Sequence, residues 1–230
     1  MRPVPRISSL IAACLILNAC GSALRWEPDT HVVRAGDTIY SIAFQHGLDQ
    51  HDLLGWNRLD ANGLIFPGQR LRLTAPAGYV PKRATVARRG ATPVPSGPVT
   101  TGKAGAARVD WRWPTDGQVI AGYGATAKTQ SGVHIGGRTG QPVRAAAGGE
   151  VVYAGSGLPG YGQLLIIKHS PEYLSAYGHN DKLLVGEGDR VKSGQQIARM
   201  GTGPGRRALL HFEIRRDGQP VNPLRRLPRR

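Results

Sequence analysis

Four histidines are placed so that they could carry chemistry: His134, His169, His179 and His211. Each follows or interrupts a short apolar run. An imidazole is the commonest metal ligand and the side chain that most readily moves a proton near neutral pH. Spaced histidines with a carboxylate make up the donor set of a zinc site that keeps one position for water. Glu213 supplies such a carboxylate two residues from His211, a spacing that puts both side chains on one face of a strand. Scattered histidines more often serve structure than metal, and the spacing leaves open whether that face lines a cleft. Thiolate chemistry is excluded from the body of the chain, because its two cysteines, Cys14 and Cys20, both lie near the N-terminus.

The elements that must position these residues are short. Glu150–Gly155, Leu164–Lys168, Tyr173–Tyr177 and Leu210–Ile214 are runs rich in Val, Ile, Leu and Tyr between glycine turns, the pattern of strands. No stretch of 110–223 reads as a helix, so this module is expected to be mostly antiparallel β. Residues 30–73 read as a smaller module. His31–Arg34 predicts a strand and Gly36-Asp37 a turn. Asp37 is the expected N-cap of a helix Thr38–His46, with Ile39, Ile42 and Ala43 at core spacing and Gly47 as the left-handed residue that ends it. Residues 49–56 predict a second helix, with Leu53, Leu54 and Trp56 apolar, and Arg70–Leu73 a closing strand. The fold class is therefore α+β: a small βααβ module followed by a mostly antiparallel β domain.

With 30 Lys and Arg against 15 Asp and Glu, the formal net charge is +15. Such a balance suits polyanionic surroundings, whether nucleic acid, anionic glycan or anionic lipid, or merely solubilising tails. Much of the charge falls in a linker, 74–109, that holds Lys82, Arg83, Arg88, Arg89, Lys103 and Arg108, several prolines and no acidic residue. That segment cannot bury enough apolar surface to fold. The tail 224–230, with Arg225, Arg226, Arg229 and Arg230, is likewise expected to be disordered. Basic residues concentrated in a linker and a tail, without interleaved aromatics, argue against nucleic-acid binding. At the N-terminus, Arg2 and Arg6 precede an apolar stretch, Ile7–Ala19, that is too short for a usual membrane span and reads as a signal peptide over 1–19.

Leu17-Asn18-Ala19-Cys20 resembles the bacterial lipobox. The resemblance implies diacylglyceryl transfer to the Cys20 thiol and cleavage before it, with 20–29 left as a tether. Ile11-Ala12-Ala13-Cys14 also fits, but would leave a very short apolar region and Leu15-Ile16-Leu17 on the mature chain. The absence of a sorting Asp at Gly21-Ser22 implies passage to the outer membrane, facing the periplasm. Val32–Ala43, Asn57 and Ile65-Phe66-Pro67-Gly68-Gln69-Arg70-Leu71 closely resemble a LysM module. This implies binding of N-acetylglucosamine-containing glycan, and so of peptidoglycan, with Gly36, Asp37, Thr38, Ile65, Phe66 and Pro67 as groove candidates.

From Trp113-Pro114 to Asn222-Pro223 the chain resembles the LytM/lysostaphin-type zinc endopeptidase domain, most closely at Ser131–Gly136, Gly148–Gly155, Ala176–Asn180, Val191–Ala198 and Leu210–Arg215. Active members hold zinc with the His and Asp of an HxxxD motif and the second His of an HxH motif, and two further histidines assist the attacking water. Here the HxxxD positions fall on Gln130 and His134, and the first His of HxH falls on Leu209. His211 matches a zinc ligand and His179 an assisting histidine. The neutral amide of Gln130 is a poor zinc donor beside imidazole and carboxylate, and without zinc no water is acidified to attack an amide. The resemblance thus implies a cleft without metal, cofactor or catalysis, in which Gln130, His134, Tyr177, His179, Leu209 and His211 serve binding. Lipobox, LysM, basic linker and degenerate LytM domain together resemble NlpD-type lipoproteins, which activate periplasmic N-acetylmuramoyl-L-alanine amidases in cell separation. Two rival readings share these residues: a purely structural tether between outer membrane and peptidoglycan, and a divergent zinc endopeptidase using His134, His179 and His211.

Overall fold

The computed structural model describes residues 29–80 and 109–230. The expected signal peptide, the Cys20 anchor, the tether up to residue 28 and linker residues 81–108 lie outside the described residues.

The first unit runs β1 (Thr30–Val32), α1 (Ile39–His46), α2 (Gln50–Trp56) and β2 (Arg70–Arg72), with β1 and β2 antiparallel. Its core is Val33, Ile39, Ile42, Ala43, Leu53, Leu71 and Leu73, so the helical spacing in the sequence marks the buried face. The N-cap of α1 is Thr38, a correction to Asp37. The Thr38 hydroxyl accepts from the Ser41 amide at 3.0 Å and the Ser41 hydroxyl accepts from the Thr38 amide at 2.9 Å. This reciprocal box satisfies two amides that a single Asp cap would not. Asp37 is then free to take His31 Nε2 at 2.9 Å and the Arg34 amide at 2.8 Å. Gly47 ends α1 at φ 65°. Asn57 ties α2 to β2: its Nδ2 donates to the Leu53 and Arg72 carbonyls, and its Oδ1 accepts from the Arg72 amide at 2.7 Å.

The second unit is a ten-stranded sheet of β3 (Val119–Ala121), β4 (Val133–Gly136), β5 (Pro142–Arg144), β6 (Gly149–Gly155), β7 (Gln163–Lys168), β8 (Tyr173–Leu183), β9 (Arg190–Val191), β10 (Gln196–Met200), β11 (Leu209–Arg216) and β12 (Gln219–Val221). The main order is β3-β4-β11-β8-β7-β6-β9; β10 joins β5 to β8, β12 pairs with β11, and every pairing is antiparallel. Strand alternation sorts side chains onto two faces. Val133, Ile135, Leu165, Ile167, Phe212 and Ile214 point into the main core. Leu164, Ile166, Leu174 and Ala176 point to the other face, where Phe44 of α1 packs on them.

The two units are joined on that second face. The Arg215 guanidinium lies 3.4 Å from the centre of the Phe44 ring and donates to the Phe44 carbonyl. Gln219 donates to the Gly47 carbonyl, Gln50 to the Pro171 carbonyl, and Lys168 Nζ to the Tyr40 hydroxyl. The hairpin between β11 and β12 turns on Asp217 (φ 49°) and Gly218 (φ 74°), the Asp-Gly pair that a tight two-residue turn favours. A Cβ on Gly218 would meet the Leu48 carbonyl oxygen at 2.2 Å, so glycine is required there by both backbone angle and contact.

The C-terminal residues are not the free tail that their charge suggests. Leu227 is buried, Trp113 Nε1 donates to the Pro228 carbonyl, and the Arg230 guanidinium stacks 3.9 Å from the Trp113 ring. The aromatic platform and backbone carbonyls of 113–117 hold what composition alone would leave in solvent.

Candidate functional site

His134 of β4 and His211 of β11 are directly opposed across the strand pair, which brings their ring centres to 5.2 Å. The His179 ring lies 6.3 Å from His134 and 6.2 Å from His211. These three imidazoles, with Ser131, Tyr161 and Glu213, line a cavity of about 310 Å³. Three of the histidines singled out by sequence therefore converge.

His179 reaches this face only because β8 is irregular. Gln163 pairs with Asn180 and Leu165 with Tyr177, so β8 carries one extra residue against β7. His179 takes it up at φ 62°, a left-handed conformation uncommon for a side-chain-bearing residue. Without the bulge, Tyr177 and His179 would share one face. With it they part: Tyr177 is a correction to the expected cleft set. Its ring is fully buried in the main core, and its hydroxyl accepts from the Ala146 amide and from Ser175 at 2.8 Å each. Burial pushes its phenol up to about 12.

Gln130 stands exposed at the end of a short 3-10 turn, Ala127–Thr129, outside the cavity wall. Leu209 is buried beside His179, against Gly203. His169, the fourth histidine, lies away from the cavity. Its Nε2 meets Ser175 Oγ at 2.6 Å, its Nδ1 meets the Gly148 carbonyl at 2.9 Å, and Trp111 packs edge-on. Burial drives its pKa down to about 4, so it is a neutral structural histidine. The groove candidates of the first unit lie elsewhere. Asp37, Thr38 and Ile65 line one cavity and Gly36 and Asp37 another, while Phe66 and Pro67 are exposed and line neither.

Two residues that sequence reasoning passed over complete the histidine site. Tyr161 lies edge-on to His211 at 5.4 Å and its hydroxyl donates to Glu213 Oε1 at 2.8 Å. Nothing in a loop tyrosine's local sequence announces such a role. Arg215 binds Glu213 Oε2 through Nε at 2.9 Å. Its position at i+2 from Glu213 was a signal, since alternation puts 211, 213 and 215 on one face. Glu213, fully buried, also takes His211 Nε2 at 2.9 Å. Burial drives the Glu213 carboxyl up, but the Arg215 charge and the His211 hydrogen bond outweigh it and hold the group below the usual carboxylate range. The Tyr161 phenol is raised by burial and by that same carboxylate.

Around this cavity several of the donors that a zinc ion would take are otherwise engaged or absent. The buried carboxylate is already taken by Arg215, His211 and Tyr161, Gln130 stands outside the wall, and Leu209 offers no donor. Among the described residues no group of three or more His, Cys, Asp or Glu side chains is arranged to hold a metal.

Comparison with known proteins matches residues 31–74 to the LysM domain and 128–223 to peptidase family M23. The chain is 41% identical over 275 aligned residues to the lipoprotein NlpD/LppB homolog of Pseudomonas aeruginosa, covering 97% of this chain and 90% of that protein. It is 35% identical to the lipoprotein YgeR of Escherichia coli, covering 96% and 92%. To the murein hydrolase activator NlpD of Escherichia coli it is 55% identical over 120 residues, which are 52% of this chain and 32% of that protein. The chain therefore belongs to the NlpD/LppB family of lipoproteins, with a LysM module and an M23-type domain.

Proposed function

We propose that this protein is a peptidoglycan-bound envelope lipoprotein, anchored through Cys20, whose M23-type domain is not an enzyme but activates a periplasmic N-acetylmuramoyl-L-alanine amidase. The observation that carries the reading is the histidine cavity, which keeps His134, His179 and His211 but commits Glu213 to Arg215, His211 and Tyr161. A concave, polar, already formed site needs little rearrangement to receive a loop or helix of a partner. Relatives named murein hydrolase activators support the activating role. By linkage, the cavity can open an amidase only by binding its open form more tightly than its closed form, and a shift from 1:99 to 99:1 needs about 5.5 kcal/mol of preference. Losing roughly 2 kcal/mol at each of two hot spots would remove most of it.

The test is dye release from labelled sacculi with a candidate amidase. The protein alone is expected to release nothing, and with the amidase to accelerate release strongly. His134→Ala, Tyr161→Ala, Leu209→Glu and Gln130→Ala are each assayed after confirming that they fold. Full acceleration by all four would remove the cavity from the mechanism and leave the tether reading. Release by the protein alone, lost in His211→Ala, would make it an endopeptidase.

A further inference from the structure

Part of the glycan groove expected on the LysM module faces the M23-type domain, while Phe66 and Pro67 remain exposed. Asp37, Thr38 and Ile65 line a cavity of about 320 Å³ whose opposite wall is Glu150, Val152 and Glu187 of the M23-type domain. A second cavity, of about 490 Å³, lies between His31, Arg34 and Gly36 on one side and Tyr153, Ser156 and Pro159 on the other. Both cavities are lined by Asp37 and Glu187, so they adjoin one another along the seam between the modules. We propose that this seam is a composite binding site in which a neutral, N-acetylglucosamine-containing glycan strand is held by both modules at once. The proposal rests on the LysM reading and adds the M23-type domain as the second wall.

The chemistry of the seam selects the ligand. In a chain of net charge +15, the two cavities gather three carboxylates, Asp37, Glu150 and Glu187, against one guanidinium, Arg34. That balance disfavours an anionic ligand there. A neutral amino sugar suits it, because hydroxyl and amide N–H groups donate to carboxylate oxygens and such charge-assisted bonds are the stronger kind. The carboxylates are pre-set for it. Asp37 uses Oδ2 for His31 and the Arg34 amide, and Glu187 uses Oε1 for the Ala154 amide at 3.1 Å. Each is thereby oriented, and among the described residues no hydrogen bond is seen to its second oxygen. Ile65 and Val152 offer apolar surface from opposite walls for the faces of sugar rings. The contacts of Lys168 to Tyr40 and of Arg215 to Phe44 join the two modules beside the seam, and both cavities are present without a ligand.

The test uses the mature full-length chain and chitopentaose, a neutral β-1,4-linked N-acetylglucosamine oligomer, by isothermal titration calorimetry. Parent protein is expected to bind, with an affinity little changed between low and about 0.5 M salt, since the ligand carries no charge. Glu187→Ala, in the M23-type domain, should weaken binding about tenfold, which is about 1.4 kcal/mol. Ser156→Trp, at an exposed position in the second cavity, should weaken it as well without touching a carboxylate. Thermal melts matching the parent show that both variants are folded. Loss of affinity in either supports the shared site. Parent-like affinity in both overturns it while leaving glycan binding by the LysM module standing. A parent protein that does not bind removes that reading too. Binding that falls steeply with salt marks an ionic partner and overturns the proposal.

Discussion

At the scale of single residues, the decisive group is Glu213. A fully buried carboxylate is tolerable only while its partners stay in place. Arg215→Met is therefore expected to destabilise the protein by about 3–5 kcal/mol, and Glu213→Leu with Arg215→Met by less than the single change, because the pair then leaves no uncompensated charge. Urea denaturation of the three proteins checks this; a single substitution costing under about 1 kcal/mol would show that Glu213 is not ionised in the fold. His169 gives a pH signature of its own. Its folded pKa, about 4, is below the ordinary 6.5, so the unfolded chain binds the extra proton between those values. Stability from this group is complete above 6.5 and is lost as pH falls toward 4, at about 1.4 kcal/mol per unit and about 3 kcal/mol in all. Denaturation midpoints across that window should fall less steeply in His169→Gln than in the parent. Equal slopes would show that His169 is not buried in its neutral form.

At the scale of elements, the site depends on two local devices in the sheet. The bulge in β8 places His179 on the cavity face at a cost in backbone strain. His179→Gly should thus be more stable than His179→Ala by about 1 kcal/mol, because glycine enters the left-handed region without a Cβ penalty. Both should lose amidase activation equally if the imidazole is what matters. Equal stability of the two would mean that the left-handed turn is not populated. The approach to β4 is the second device. A Cβ on Gly132 would meet the Phe212 carbonyl oxygen at 2.4 Å and Glu213 Cγ at 2.8 Å. Gly132→Ala must push β4 from β11, and is expected to cost more than about 2 kcal/mol and to lower activation by moving His134 away from His211. Thermal melts and the sacculus assay read both effects.

At the scale of the whole molecule, the modules share apolar and polar contacts: Phe44 on Leu164 and Ile166, Arg215 on Phe44, and Leu48 against Gly218. The chain of contacts from Arg215 through Glu213 to His211 runs from the LysM module to the histidine cavity, so the module seam and the cavity are parts of one packed assembly. The parent is expected to unfold in one calorimetric transition. Gly218→Ala, which collides with the Leu48 carbonyl, and Phe44→Ala, which empties the contact, should each split it into two. A single unchanged transition in both would show that the modules are thermodynamically independent.

Much of this protein follows from local sequence. The period of Ile39, Ile42 and Ala43, the cap and stop residues around α1, and alternating runs such as Leu210–Ile214 set the βααβ module and the antiparallel strands, because each depends only on neighbours in the chain. Alternation by itself also puts His211 and Glu213 on one face. What depended on distant partners was not legible. Tyr177 shares a sequence segment with His179, yet an extra residue in β8, defined only by its pairing with β7, sends them to opposite faces. The tail reads as solvated, yet Trp113, far away in sequence, captures Arg230. The seam between the modules, where Asp37 and Glu187 line the same cavities from positions more than half the chain apart, had no local signal at all. Local propensity is written in periods and caps, whereas which face covers which is decided by long-range burial, where the free energy of apolar contact is gained only after the chain has closed on itself.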